Sequence, residues 1–180
     1  MKNKCLAMAL VVAMAFSMVA CGSSSDTKVI ESNGSTAAAG STSTSSASGF
    51  VFTYNGTEIT VDADAAPIVE ALGEPNQYFE SPSCAAEGIG KLYTYSDFEI
   101  QTYPDGDKDL ILYVLLRTDN VATAEGIDLS SSRDDIIAAY GEPTSEATGA
   151  MTYEKDGVSL VFIFNGDSLI SIEYDSPANK

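Results

Sequence analysis

Ile59 to Asn76 reads ITVDADAAPIVEALGEPN, and Ile127 to Thr144 reads IDLSSSRDDIIAAYGEPT. The two stretches align over eighteen residues without a gap, at a constant offset of 68. Six positions are identical: Ile59/Ile127, Ile68/Ile136, Ala71/Ala139, Gly73/Gly141, Glu74/Glu142 and Pro75/Pro143. Each opens on isoleucine, passes through a polar cluster suited to a helix N-cap, and ends a short apolar helix with Gly-Glu-Pro. In the first, Asp62 or Asp64 is the candidate cap, with Ile68, Val69 and Leu72 on one face. In the second, Ser132 with Asp135 three residues on forms a capping box, with aspartate in the place of glutamate. Glycine supplies the left-handed residue after the helix, and proline forbids another turn.

Strand patterns follow each helix. After the first they are 92–95, 98–103 and 109–116; after the second, 151–154, 158–164 and 168–174. Ahead of both, Phe50 to Val61 carries Asn55-Gly56 between two alternating runs, a two-residue hairpin signal. The expected fold class is α+β: two tandem helix-plus-antiparallel-meander repeats, at 59–117 and 127–175, sharing one curved antiparallel sheet with the helices on one face. Residues 77–91, containing Cys84, read as a long loop. Strand parity assigns Val158, Leu160, Phe162, Phe164, Ile170, Ile172 and Tyr174 to the helix-facing side. Leu110 to Leu116 is apolar throughout, as expected of a central strand covered on both faces.

Outside the folded domain (50–180) lie two segments of different composition. Residues 1–21 have the form of an export signal: Lys2 and Lys4, then an apolar run from Leu6 to Val19. The run ends in Met18-Val19-Ala20-Cys21, which resembles a bacterial lipobox and implies lipid attachment at Cys21. The expected localisation is extracytoplasmic, on a bacterial membrane, held through lipidated Cys21 alone. Residues 22–49 are a Ser/Thr/Gly/Ala linker, too polar to bury a core and read as disordered. As a flexible coil it spans roughly 30 Å.

The chain has 26 acidic and 9 basic residues. Setting aside Lys2, Lys4, Lys28, Asp26 and Glu31 leaves 24 acidic and 6 basic residues in 50–180. Such a surface argues against nucleic acid and suits a basic protein partner. The chain has no histidine, the usual general base and commonest metal ligand. No nucleophile elbow, phosphate loop or zinc spacing is present. Asp105 to Asp109 has the acidic start of a calcium loop, but Leu110 and Leu116 stand where glycine and glutamate belong. It reads as a charged hairpin turn. The expectation is a non-catalytic protein with no cofactor and no metal site. The candidate binding face is the side of the sheet turned away from the helices: Glu99, Gln101, Tyr103, Ser171 and Glu173. The alternative is a binder of cell-wall glycan or another small extracellular ligand, for which the lack of tryptophan removes the best sugar-stacking side chain.

Gly73-Glu74-Pro75 and Gly141-Glu142-Pro143, with their isoleucine openings, resemble the SmpA/OmlA-like lipoprotein repeat. A tandem of two is similar to the β-lactamase inhibitory protein fold. The resemblance implies two helix-plus-meander units, a concave sheet face and binding of an envelope or extracellular protein without catalysis. It carries over no inhibitory residues.

Overall fold

The computed structural model describes residues 49–179. The expected export signal and Cys21, the expected lipid attachment site, lie outside the described residues, as does all but Gly49 of the expected linker.

Asn55 and Gly56 both take positive φ, 50° and 84°, which a type I′ turn requires. They join β1 (Phe52–Tyr54) to β2 (Thr57–Ile59) in a separate two-stranded sheet. The Asp64 carboxylate accepts from the Ala66 N–H at 3.1 Å and starts α1 (Ala65–Leu72). Four strands follow: β3 (Gln77–Pro82), β4 (Ile89–Thr94), β5 (Phe98–Asp105) and β6 (Lys108–Leu116). The second helix, α2 (Arg133–Tyr140), opens on the complete capping box. The Ser132 hydroxyl accepts from the Asp135 N–H at 3.3 Å, and the Asp135 carboxylate accepts from the Ser132 N–H at 2.9 Å. Then come β7 (Ser145–Ala147), β8 (Ala150–Lys155), β9 (Val158–Asn165) and β10 (Ser168–Asp175).

The eight strands from β3 onward form one antiparallel sheet in the order β3-β4-β5-β6-β10-β9-β8-β7. This corrects the expected fold class. The protein is mostly β, an eight-stranded sheet with a small two-stranded one, rather than an α+β pair of helix-plus-meander repeats. The physical reason lies in the size of the helices. Each has eight residues, and each buries one side chain fully, Ala65 in α1 and Ile136 in α2. Two turns are too short to form a layer over eight strands. The β1–β2 hairpin contributes Phe52 and Ile59 to the core, and the connection after β6 contributes Val121 and Ile127. These non-helical segments close the sheet as much as the helices do. The tandem division implied by the resemblance is corrected with it.

Three finer readings change too. Residues 77–91 are largely strand: β3 and the start of β4 occupy most of the expected loop. Ile170 is 51% exposed, not helix-facing, because a bulge between Leu169 and Ser171 inserts an extra residue and reverses the parity. Strand β6 is central, but Tyr113 and Leu115 stay half-exposed, so only one of its faces is covered.

The core lies between the sheet and its partial cover. Phe98, Ile100, Val114, Leu116, Leu160, Phe162 and Ile172 are wholly buried from the sheet side. Phe98 meets Tyr54, Tyr95 and Phe52 at ring-centroid distances of 4.8, 4.9 and 5.2 Å. The local setting of Gly-Glu-Pro recurs: Gly73 and Gly141 have φ of 81° and 80°. A tyrosine hydroxyl from the chain that follows, Tyr95 just past β4 or Tyr153 in β8, donates to the glycine carbonyl at 3.4 and 2.9 Å.

Candidate functional site: the uncovered face of the sheet

Successive side chains on a strand alternate between faces, so the pairing register maps the side away from the core. One row runs Thr94, Glu99, Leu115, Glu173, Val161 and Thr152 across six strands. The adjacent row runs Leu92, Gln101, Tyr113, Asp175 and Ser159. Glu99 and Glu173 thus flank Leu115, and Gln101 and Asp175 flank Tyr113. The middle of this face is a patch of carboxylates and partly exposed apolar groups.

Burial decides its chemistry. Glu99 is 8% exposed, and its carboxylate accepts from the Arg117 guanidinium at 2.7 Å. Burial pushes the Glu173 carboxyl above its ordinary pKa, and the neighbouring charges of Asp175 and Glu99 add to it; a hydrogen bond with Ser171 opposes. Burial also raises Asp175, against a 2.8 Å hydrogen bond from Asn179. The Tyr113 hydroxyl is pushed up to about 12, first by burial and then by Glu99, Glu173 and Asp175. Removing a carboxylate from water disfavours its charged form, and like charges nearby do the same. Among these three acids only Glu99 has a guanidinium, that of Arg117. Glu173 and Asp175 have no cation paired with them among the described residues.

Four of the five sequence-derived candidates fall in or beside this patch. Gln101, Ser171 and Glu173 are half-buried on the uncovered face. Glu99 shares the face but is committed to Arg117. Tyr103 stands apart: its hydroxyl donates to Asp62 at 2.9 Å, where Ser176 also donates at 2.5 Å. Burial and that hydrogen bond push the Tyr103 hydroxyl up to about 12. Tyr103 therefore ties β5 to the segment after β2 and is not free to meet a partner. Sequence reasoning missed Tyr113, Arg117 and Asp175. The parity that selected Glu173 also selects Asp175, two residues on. Tyr113 was hidden in an apolar run.

Elsewhere, Cys84 is exposed and unpaired, and Glu74 and Glu142 are exposed turn residues. Asp105 and Lys108 pair across the turn at Gly106, so 105–109 is a hairpin connection. Among the described residues no group of three or more Cys, Asp or Glu could hold a metal ion. A cavity of about 180 Å³ on the covered side is lined by Phe50, Val51, Glu125, Lys155 and Tyr174, among others. It is smaller than the ~300–1,000 Å³ usual for a small-molecule site. No helix among the described residues is long and apolar enough to cross a membrane. No family model, no curated protein and no solved structure matches this chain.

Proposed function

We propose that this chain is a lipid-anchored, extracytoplasmic protein-binding module of a bacterial cell envelope, non-catalytic, whose uncovered sheet face receives a basic protein. One observation carries the reading. Glu173 and Asp175 are half-buried carboxylates, raised by burial, with no paired cation among the described residues. A lysine or arginine arriving from a partner supplies the missing charge, and the ion pair forms where water is already partly excluded. Leu115, Tyr113 and Val161 beside them offer apolar area, the mixture that suits a recognition patch. The chain's net charge of −17 steers a basic partner towards the surface. Cys21, after small residues at the end of an apolar run, supplies the anchor, and residues 22–49 the tether.

The test compares the chain with its Glu173→Gln/Asp175→Asn variant as bait for envelope proteins. A partner held at low salt, released at high salt and lost from the variant supports the reading. Equal recovery on both baits refutes it. For the anchor, Cys21→Ala should release the protein from the membrane fraction, and continued retention would refute lipidation.

A further inference from the structure

The two ends of the sheet differ. One ends in β7, three residues long, whose Glu146 is held by Arg133 at 3.3 Å. The other ends in β3, six residues long, with no strand on its outer side among the described residues. Short strands and engaged charges protect an edge; a long edge with exposed apolar groups invites pairing. Of five large hydrophobic residues exposed on the described surface, three lie here: Phe79 at 63%, Tyr78 at 50% and Ile89 at 47%. Glu80 is the single charge on β3.

We propose that the outer edge of β3 accepts an extended basic segment of another protein as a ninth strand. The alternation of β3 dictates what that segment carries. Phe79 pairs with Leu92 on the uncovered face, so an apolar residue belongs beside it. Tyr78 and Glu80 point to the opposite face, with the Tyr78 hydroxyl donating to Glu80. Basic residues belong there, where carboxylate and aromatic ring both attract a cation. Main-chain hydrogen bonds give the affinity and alternate side chains the selectivity. Pro82 has no N–H, which confines the new ladder to 77–81. A second copy is the less favoured occupant, because each chain carries −17. The edge stands apart from the carboxylate patch on β5, β6 and β10, so the two surfaces can be tested separately.

The probe is a short blocked peptide alternating valine and lysine, with its valine–glutamate counterpart and an alternately N-methylated form as controls. It is added to the full chain in detergent micelles, and amide hydrogen exchange is followed. The valine–lysine peptide at about 1 mM should slow exchange in 77–81, and the N-methylated form should not. Glu80→Lys, an exposed change, should weaken the valine–lysine peptide by about threefold or more and favour the glutamate peptide. Glu173→Gln/Asp175→Asn should leave the effect intact. Unchanged exchange in 77–81, equal action of the N-methylated form, or insensitivity to Glu80→Lys overturns the proposal. So does a dimer that pairs through β3 and that the peptide displaces.

Discussion

Glu173→Gln is expected to stabilise the fold at neutral pH while weakening partner binding. The substitution keeps the shape of the side chain and one oxygen able to accept from Ser171, and removes its charge. Asp175 lies two residues along the same strand, on the same face, at a separation of about 7 Å. Two like charges at that distance repel by about 0.6 kcal/mol in bulk water and about 2.4 kcal/mol at the effective dielectric of a protein surface. Glu99, across Leu115, is offset by Arg117 and is left out. The expected gain at pH 7 is therefore ~0.6–2.4 kcal/mol. With an unfolding entropy of about 2.1 cal/mol/K per residue over ~130 residues, that raises Tm by roughly 2–9 °C. The pH dependence follows from the direction of the shift. A carboxyl raised in the folded state contributes stability below its ordinary pKa and loses it as pH rises through the folded value. The variant's advantage should thus be present at pH 7 and vanish below about pH 4, where wild-type Glu173 is protonated as well. Thermal unfolding at low salt, followed from pH 3 to pH 8 and repeated at high salt, measures it. A variant that melts at or below wild type at pH 7, or whose advantage persists in acid, refutes the account of this patch.

Phe98→Ala, which empties a wholly buried ring site, should cost about 3–5 kcal/mol in denaturant unfolding, whereas Phe79→Ala on the exposed edge should stay within about 0.5 kcal/mol. Ser132→Ala breaks the α2 capping box and should cost about 1 kcal/mol. Its bonds to Ser132 hold Asp135 below the usual carboxylate range, so that stability is present above the ordinary pKa and lost as pH falls. The acid-side decline should therefore be shallower in the variant, as acid titration of the fold would show. Gly90→Ala places a Cβ 2.7 Å from the Thr102 carbonyl oxygen. It should cost about 1–3 kcal/mol and speed exchange of the Lys91 amide, which donates to the Thr102 hydroxyl at 3.1 Å.

Local chemistry was readable from the sequence wherever one residue type has one conformational use. Asn55-Gly56 formed its turn, Ser132 and Asp135 formed their box, and eight of the ten strands were anticipated from apolar patterning and the hairpin signal. The two strands missed outright were the sheet edges β3 and β7, whose fully or largely exposed residues carry no alternating signal. The balance of the architecture was misjudged for a related reason. Two good helix signals suggest a helical layer, but periodicity reports which residues face inward, not how much of a sheet eight residues can cover. Ile170 shows a further limit: the bulge beside it is a property of pairing with β9 and leaves no mark on its own strand. The candidate face was half legible. Parity found Glu99, Gln101, Ser171 and Glu173, but could not reveal that Arg117 engages the first, or that Tyr103 reaches Asp62.

Every neighbouring pair in the large sheet is consecutive along the chain except β6 and β10. That junction rests on four register pairs, Leu116 with Ile172 through Tyr113 with Asp175. Hairpins on either side of it can zip from their own turns, but this weld must bring together positions 56 to 62 residues apart, at a loop-closure cost the local pairs do not bear. Because β10 is the last of the described strands to be synthesised, a ribosome-bound chain carries an open β6 flank until β10 has emerged. The half-buried carboxylates Glu173 and Asp175 are thus laid down by the last of the described strands to arrive.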